Sequence, residues 1–187
     1  PAHAQQPETA MPRGSVGLLQ AIEAEISDLL EHNRGCVVRI HTIYGPIEDA
    51  ATLGFGNAYT HGTGFLIDST GHVLTVDKAV NGASEIRVTL GDGSVVEGEF
   101  VASDPTSDVA VIRVPGEHPD QVTFGNSDRV RVGHYSFILG NTFDQLLPSI
   151  GSVYEVNRDE DLIQIASSVH PSYGGAPVFN SSGHVVG

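Results

Sequence analysis

The sequence predicts an all-β fold preceded by one helix, and three observations support this. After residue 35 the apolar residues occur in short runs rich in Val and Ile, not at helical spacing. Gly-containing turns of the kind that join antiparallel strands separate several of these runs. The 22 glycines and 10 prolines are spread between the runs instead of clustered. Many short strands joined in this way favour a β-sandwich or β-barrels over a parallel sheet with crossover helices.

The chain begins with a polar, proline-containing stretch over residues 1–14, which we predict to be a disordered tail. An amphipathic helix is predicted over residues 15–35. Its apolar side chains recur at steps of three and four residues, with acidic residues mostly between them. We expect this helix to pack on the chain's own β-structure. The alternative is that it contacts a second copy or a partner, which would make the protein an oligomer.

Eleven short strands are predicted after the helix. They cover residues 36–42, 64–67, 72–76, 84–90, 94–103, 109–114, 135–140, 151–156, 162–166, 177–180 and 184–187. The connections at residues 69–71, 91–93 and 181–183 each contain a glycine, which suits antiparallel hairpins. The pattern divides near residues 118–120, so a first β-unit is expected over residues 36–118 and a second over residues 119–187.

Composition and charge exclude several classes of function. With 187 residues, of which 40% are hydrophobic, the chain can form one domain or two half-domains that share a core. A formal net charge of −14 opposes binding to nucleic acid or anionic lipid, and no apolar run is long enough for a membrane helix. The single cysteine, Cys36, is expected to be a buried thiol. The residues Ala2-His3-Ala4 resemble a signal-peptide cleavage context, which favours a periplasmic or secreted protein.

Four segments carry a family resemblance when taken in order. They are "GTGFLIDSTGHVLTVDKAV" (62–80), "DPTSDVAVIRV" (104–114), "FGNSDRVRVGHYSFILGNTF" (124–143) and "VHPSYGGAPVFNSSGHVVG" (169–187). Together they resemble the HtrA/Deg group of trypsin-like serine proteases, over residues 36–187. The resemblance implies a trypsin/chymotrypsin-like fold of two antiparallel, six-stranded-type β-barrels, with the catalytic residues in the cleft between them. Relatives usually continue through further strands beyond the position of Gly187, so we expect this chain to be either a fragment or a protein with a shortened second barrel.

The same resemblance places the family's catalytic triad on three positions of this chain. The family histidine falls on Lys78, the aspartate on Asp108 and the serine on Gly174, so only the aspartate is retained. The triad needs a hydroxyl nucleophile, an imidazole that takes and returns its proton, and a carboxylate that orients the imidazole. Glycine has no nucleophile. The resemblance therefore implies a catalytically degenerate member, a pseudoprotease.

The loop around Gly174 also departs from the family's "GNSGGP" pattern. Ser172 replaces the glycine whose N–H points at the developing oxyanion, Tyr173 replaces the asparagine, and Gly175 is followed by Ala176 instead of a second glycine. We expect Ser172, Tyr173 and Gly175 to form an altered oxyanion site or cleft, or to be ordinary loop residues. A deliberate replacement of one serine would not explain these changes together with Lys78.

Lys78 is the only lysine in the chain, and three roles are open to it. The favoured role is an ion pair with Asp108, which supplies the carboxylate with a partner in place of the imidazole. A Ser172/Lys78 dyad would make the protein an active serine peptidase. A nearby Asp108 opposes this because an opposite charge stabilises the ammonium, and a catalytic lysine must be neutral. The third role is a lysine that points into solvent.

The chain contains nine histidines, which raises a metal-binding hypothesis. His170 is the one weak candidate ligand, but no histidine pair has the HxxxH or HExxH spacing of a helical site. The acidic run at residues 159–161 is expected to be a solvated loop. We therefore predict no metal and no cofactor. The favoured function is a non-catalytic module that binds an extended peptide or protein partner, with an active peptidase and a histidine-based metal module as alternatives.

Overall fold

The computed structural model describes residues 13–46, 57–142 and 145–187. Residues 1–12 of the tail predicted over residues 1–14 lie outside these ranges, and residues 13 and 14 belong to the helix. Helix α1 spans Arg13–Arg34 and ends before Gly35, as its sequence pattern predicts. Ile26 and Leu29 in its second half pack against the core, whereas Leu18, Leu19 and Ile22 in its first half are exposed. The helix therefore packs on the β-structure only through its C-terminal half.

The first sheet contains seven antiparallel strands in the order β5-β4-β1-β2-β3-β7-β6. Their bounds are β1 Val37–Pro46, β2 Asn57–Leu66, β3 His72–Thr75, β4 Glu85–Thr89, β5 Val95–Glu97, β6 Glu99–Asp104 and β7 Val109–Arg113. A single helical turn, α2, spans Asp77–Val80 between β3 and β4. Buried and less buried side chains alternate along β3, β4 and β7, as expected for strands with one face on the core.

The second sheet contains four antiparallel strands in the order β10-β9-β8-β11. They are β8 Tyr135–Thr142, β9 Gln145–Asn157, β10 Leu162–Ala166 and β11 Val178–Phe179. Short 3-10 helices occur at Ser127–Arg129 and Pro171–Tyr173. One cluster of buried apolar side chains includes residues of both sheets, such as Val37, Ile112, Leu139 and Phe179. The predicted all-β fold with an N-terminal helix is confirmed.

Strands β2 and β9 are longer than the strands predicted over residues 64–67 and 151–156, and two other predicted strands are not formed as continuous strands. The strand predicted over residues 94–103 is interrupted at Gly98, where the backbone N–H donates to the Ile86 carbonyl at 2.8 Å. A Cβ atom at Gly98 would lie 3.0 Å from Ile86 Cγ2, so the backbone there packs directly on the core. The strand predicted over residues 184–187 is wrong, because Val185 forms only isolated bridges with Phe124 and Phe179.

Candidate functional site

Lys78 lies in the helical turn α2, just after strand β3. The buried side chains of Ala79 and Val80 anchor this turn to the core. The backbone N–H of Asp77 donates to the Asp108 carbonyl at 3.2 Å, which fixes the start of the turn. Lys78 itself is directed outwards, and 83% of its side chain is exposed.

Asp108 lies in the turn between β6 and β7, opposite Lys78. Its Oδ2 atom lies 3.0 Å from Lys78 Nζ, and its Oδ1 atom accepts the Lys78 backbone N–H at 3.2 Å. These hydrogen bonds from the Lys78 ammonium and backbone lower the pKa of the Asp108 carboxyl. The structure thus contains the ion pair that the sequence predicts, with a partly buried carboxylate and an ammonium in solvent.

His170 organises the loop that carries Ser172. It is the N-cap of the 3-10 helix Pro171–Tyr173, and its Nδ1 atom accepts the Ser172 backbone N–H at 3.2 Å. The Ser172 Oγ atom lies 3.1 Å from the same nitrogen. The Ser172 carbonyl accepts a hydrogen bond of 2.8 Å from Thr63 Oγ1 on β2. The loop is therefore held from both its own N-cap and the first sheet.

Tyr173 closes the other side of this loop. Its hydroxyl donates to the Leu147 carbonyl on β9 at 2.8 Å. Its ring lies against Gly140 on β8, where a Cβ atom would overlap with the ring carbons. Tyr173 is therefore a packing residue of the second sheet in addition to lining the loop.

The two glycines of the loop have different conformations. Gly174 has φ −48° and ψ 122°, angles that any residue can adopt, and its carbonyl accepts the Thr63 N–H at 2.9 Å. A Cβ atom at Gly174 would meet Val76 Cγ2 at 3.5 Å, an ordinary van der Waals contact. Gly175 has φ +83°, and a Cβ atom there would overlap with the Thr63 carbonyl oxygen. The fold requires glycine at position 175 but not at position 174.

The N–H groups at the predicted oxyanion site donate within the loop itself. The Ser172 N–H is bound to His170, and the Gly174 N–H donates to the Pro171 carbonyl at 3.3 Å. In a serine protease the equivalent two N–H groups point at the developing oxyanion. In this conformation both donors are already engaged.

The structure brings the predicted site residues together in two groups. Lys78 is paired with Asp108, and Ser172 is paired with His170. Val76 connects the two groups, since it precedes Lys78 by two residues and is the side chain nearest to a Cβ atom at Gly174. Lys78 Nζ is hydrogen-bonded to Asp108, and Ser172 Oγ is hydrogen-bonded to His170.

A cavity of about 520 Å³ lies beside Gly174. Its lining is mostly apolar and includes Ile138, Val169, Tyr173, Ala176 and Val178. His170 stands at the same cavity. A volume of this size is in the range of ligand-binding pockets, about 300–1,000 Å³.

The histidines and Cys36 were the other candidates for chemistry in this chain. Within residues 13–46, 57–142 and 145–187, no group of three or more His, Cys, Asp or Glu side chains is arranged to hold a metal ion. Cys36 is buried and its Sγ atom donates to the Asn33 carbonyl at 2.9 Å, as expected for a core thiol. Burial raises the pKa of this thiol to about 12.

Thr63 and the capping role of His170 are the two features of this site that were not predicted from the sequence. Thr63 contacts the loop through its hydroxyl and its backbone N–H, and no local signal indicates that role. The capping role of His170 could have been predicted from Pro171, because proline is common at the first position of a helix and His170 directly precedes it.

The chain matches known proteases in sequence. The family described as "Trypsin-like peptidase domain" matches residues 62–187. A Chlamydia trachomatis protein named "Probable periplasmic serine endoprotease DegP-like" is 35% identical over 134 residues, which are 67% of this chain and 27% of that protein. The "Putative serine protease HhoB" of Synechocystis is 35% identical over 138 residues, 67% of this chain and 33% of that protein. The chain thus spans about a third or less of these relatives.

Solved structures have the same fold. The crystal structure of Deg5 superposes with a TM-score of 0.74 and 25% identity, covering 89% of this chain and 84% of that chain. A structure of an HtrA-type protease with a tripeptide also has a TM-score of 0.74, at 23% identity, covering 85% and 52% of the two chains. No helix in the described part of this chain is long and apolar enough to cross a bilayer.

Proposed function

We propose, from the premise that this chain belongs to the trypsin-like peptidase family, that it binds extended peptide or protein segments without cleaving them. The observation that carries the proposal is the pair of Lys78 Nζ and Asp108 Oδ2 at 3.0 Å, on a chain with Gly174 at the nucleophile position. Removing the serine or histidine from a triad typically lowers turnover by about 10⁶. The family resemblance assigns these two positions to Lys78 and Gly174, so neither side chain is present.

The electrostatics at Lys78 support this proposal. A general base must be unprotonated near neutral pH, and a carboxylate at hydrogen-bond distance stabilises the protonated ammonium. Most of the Lys78 side chain is in solvent, whereas a catalytic lysine needs a desolvated pocket. Lys78 therefore suits an ion pair better than proton transfer.

The cavity beside Gly174 supports the binding part of the proposal. Its apolar lining can accept an apolar side chain of a bound peptide. Extended peptides bind such folds through main-chain hydrogen bonds, while alternate side chains enter pockets. The expected ligand is therefore an unfolded segment with an exposed apolar residue, and a charge of −14 disfavours nucleic acid as a partner.

Peptide binding can be tested by fluorescence anisotropy with a labelled, unfolded apolar peptide. Val169 lines the cavity and is 57% exposed, whereas Val95 on β5 is 62% exposed and does not line it. Val169→Arg should weaken binding by about tenfold or more, because it places a charge in an apolar pocket. Val95→Arg is the matched control and should bind like the wild type. Equal binding by both variants would place the peptide elsewhere.

Catalysis is tested separately with a fluorophosphonate probe and an unfolded protein substrate. The wild type should show neither labelling nor cleavage. Labelling that disappears in Ser172→Ala would contradict the proposal and support the alternative, an active peptidase with a Ser172/Lys78 site. That alternative draws on the position of Ser172, which is half-buried beside His170, with its hydroxyl 3.1 Å from the His170 Nδ1 atom.

A gain-of-function variant tests whether the cleft itself is intact. Lys78→His combined with Gly174→Ser restores the missing side chains, and Gly174 has backbone angles that accept serine. Slow cleavage by this double variant, and none by either single variant, is the expected outcome. A folded but inactive double variant would mean that the loop around Ser172 does not adopt the catalytic conformation.

The remaining expectations are part of the same proposal. Several relatives, such as the Chlamydia trachomatis protein, are named periplasmic endoproteases, which supports a periplasmic or secreted location for this chain. The exposed Leu18, Leu19 and Ile22 of α1 offer a contact for an oligomer, which Leu19→Glu should weaken in sedimentation experiments.

The metal alternative requires zinc to raise the melting temperature of the protein, and it requires His170→Ala to abolish that rise.

A further inference from the structure

A second cavity, of about 510 Å³, lies between the two sheets on the side where α1 ends. Arg34 from α1 and Arg39 from β1 both line it. Leu90 from the first sheet and Leu146 and Leu147 from β9 supply an apolar lining. The cavity is distinct from the one beside Gly174, with which it shares no residue.

The backbone positions both arginines against the turn at residues 91–93. Arg39 is paired in register with Thr89 on β4, directly before that turn. Gly91 packs on Gly35, the residue after Arg34, so closely that a Cβ atom at Gly91 would lie 2.8 Å from the Gly35 carbonyl oxygen. The backbones that carry the two arginine side chains are therefore held in fixed positions at this cavity.

Neither arginine has a charge partner in the described part of the chain. Arg87, Arg131 and Arg158 donate hydrogen bonds to carboxylate or carbonyl oxygens. Arg34 and Arg39 make no hydrogen bond and no ion pair with any described residue. Two uncompensated cations that line one cavity favour a bound anion, because a guanidinium is a fork that matches a carboxylate or phosphate.

Asp92 lines the same cavity but is already engaged. Its Oδ1 atom accepts hydrogen bonds of 2.6 Å from the Ser94 hydroxyl and 2.8 Å from the Ser94 N–H. These hydrogen bonds lower the pKa of Asp92, so it remains a carboxylate. Its negative charge favours a ligand with one small anionic group over a multiply charged phosphate.

We infer that this cavity binds a carboxylate attached to an apolar group, such as the C-terminal residue of a peptide that ends in leucine. The carboxylate would be held by Arg34 and Arg39, and the apolar side chain by Leu90, Leu146 and Leu147. This inference does not depend on the proposed function, because the site shares no residue with the cleft at Gly174.

The test is calorimetric titration of the full chain with acetyl-Ala-Ala-Leu, as the free acid and as the C-terminal amide. The free acid should bind at least about tenfold more tightly, because a hydrogen bond to a charged group is lost in the amide. Octanoate and inorganic phosphate serve as further probes. Phosphate should bind more weakly than the peptide acid, and binding of octanoate but not of the peptide would overturn the peptide assignment.

Arginine variants locate the site. Arg34→Gln and Arg39→Gln should each weaken binding of the peptide acid by about tenfold. Arg113→Gln is the matched control, since Arg113 lies at a different cavity and the variant removes the same charge. Equal affinity for acid and amide, or equal loss in Arg113→Gln, would overturn the inference.

The stability of Arg39→Gln separates a binding role from a structural one. An uncompensated cation does not stabilise the fold, so the melting temperature of the ligand-free variant should be unchanged or higher. The peptide acid should raise the melting temperature of the wild type and not that of the variant. A variant that melts several degrees lower without ligand would show that Arg39 is structural, and the inference would fail.

Discussion

Alanine at positions 174 and 175 should have opposite effects on stability, although the two glycines are neighbours. Gly174 has φ −48° and ψ 122°, and a Cβ atom there would meet its nearest neighbours at 3.5 Å and 3.7 Å. Gly175 has φ +83°, and a Cβ atom there would overlap with the Thr63 carbonyl oxygen. The comparison tests whether the fold imposes glycine at position 174, which the family resemblance assigns to the nucleophile.

The expected magnitudes follow from these surroundings. Gly174→Ala should leave stability unchanged or raise it by about 0.4–1 kcal/mol, because alanine restricts the unfolded chain. Gly175→Ala combines a left-handed alanine, at about 1–2 kcal/mol, with a disturbed hydrogen bond from Thr75 Oγ1 to the Thr63 carbonyl, at about 1–3 kcal/mol. That hydrogen bond is buried and 2.7 Å long. The expected loss is therefore about 2–5 kcal/mol.

Urea denaturation followed by circular dichroism measures both changes. Thermal melting adds a second scale, on which 1 kcal/mol corresponds to about 2–4 °C for a chain of this size. A loss of more than about 2 kcal/mol in Gly174→Ala would refute the reasoning, because glycine would then be required at that position. So would an unchanged stability in Gly175→Ala.

Three further predictions concern single side chains. Lys78→Met should change the free energy of unfolding by less than about 1 kcal/mol, because the ion pair is exposed; a loss above about 2 kcal/mol in urea denaturation would contradict this. Tyr173→Phe should cost about 0.5–1.5 kcal/mol through the lost hydrogen bond to the Leu147 carbonyl, and an unchanged midpoint would mean that the bond contributes nothing. Burial raises the pKa of Cys36 from 9.0 to about 12, so above pH 9 the unfolded thiol loses its proton first and stability falls with pH. From about pH 8 to 10 the wild type should lose about 1.4 kcal/mol more than Cys36→Ala, and parallel pH profiles would refute the burial effect.

The parts of the fold that could be predicted are those set by local sequence. The end of α1 before Gly35 and the hairpin turns at Gly71, Gly93 and Gly183 are examples. Each of these three turn glycines has a positive φ, which other residues rarely adopt. A turn glycine is therefore visible in the sequence before any tertiary contact is known.

The parts that could not be predicted depend on residues far apart in the chain. The break at Gly98 follows from close packing on Ile86, and nothing near Gly98 in the sequence indicates that neighbour. The cavity between Arg39 and Leu146 arises only when the two sheets pack together. The ion pair of Lys78 and Asp108 could be predicted only because a family resemblance placed the two residues in one cleft.

Asp108 has a structural role that does not depend on catalysis. Its carbonyl accepts the Asp77 N–H and its carboxylate accepts the Lys78 N–H, so it binds two of the backbone donors at the start of α2. Free N–H groups at a helix start need such acceptors. An aspartate is therefore useful at this position whether or not an imidazole is present. Of the three positions that the resemblance assigns to a triad, this is the one at which the structure gives the expected side chain a second role.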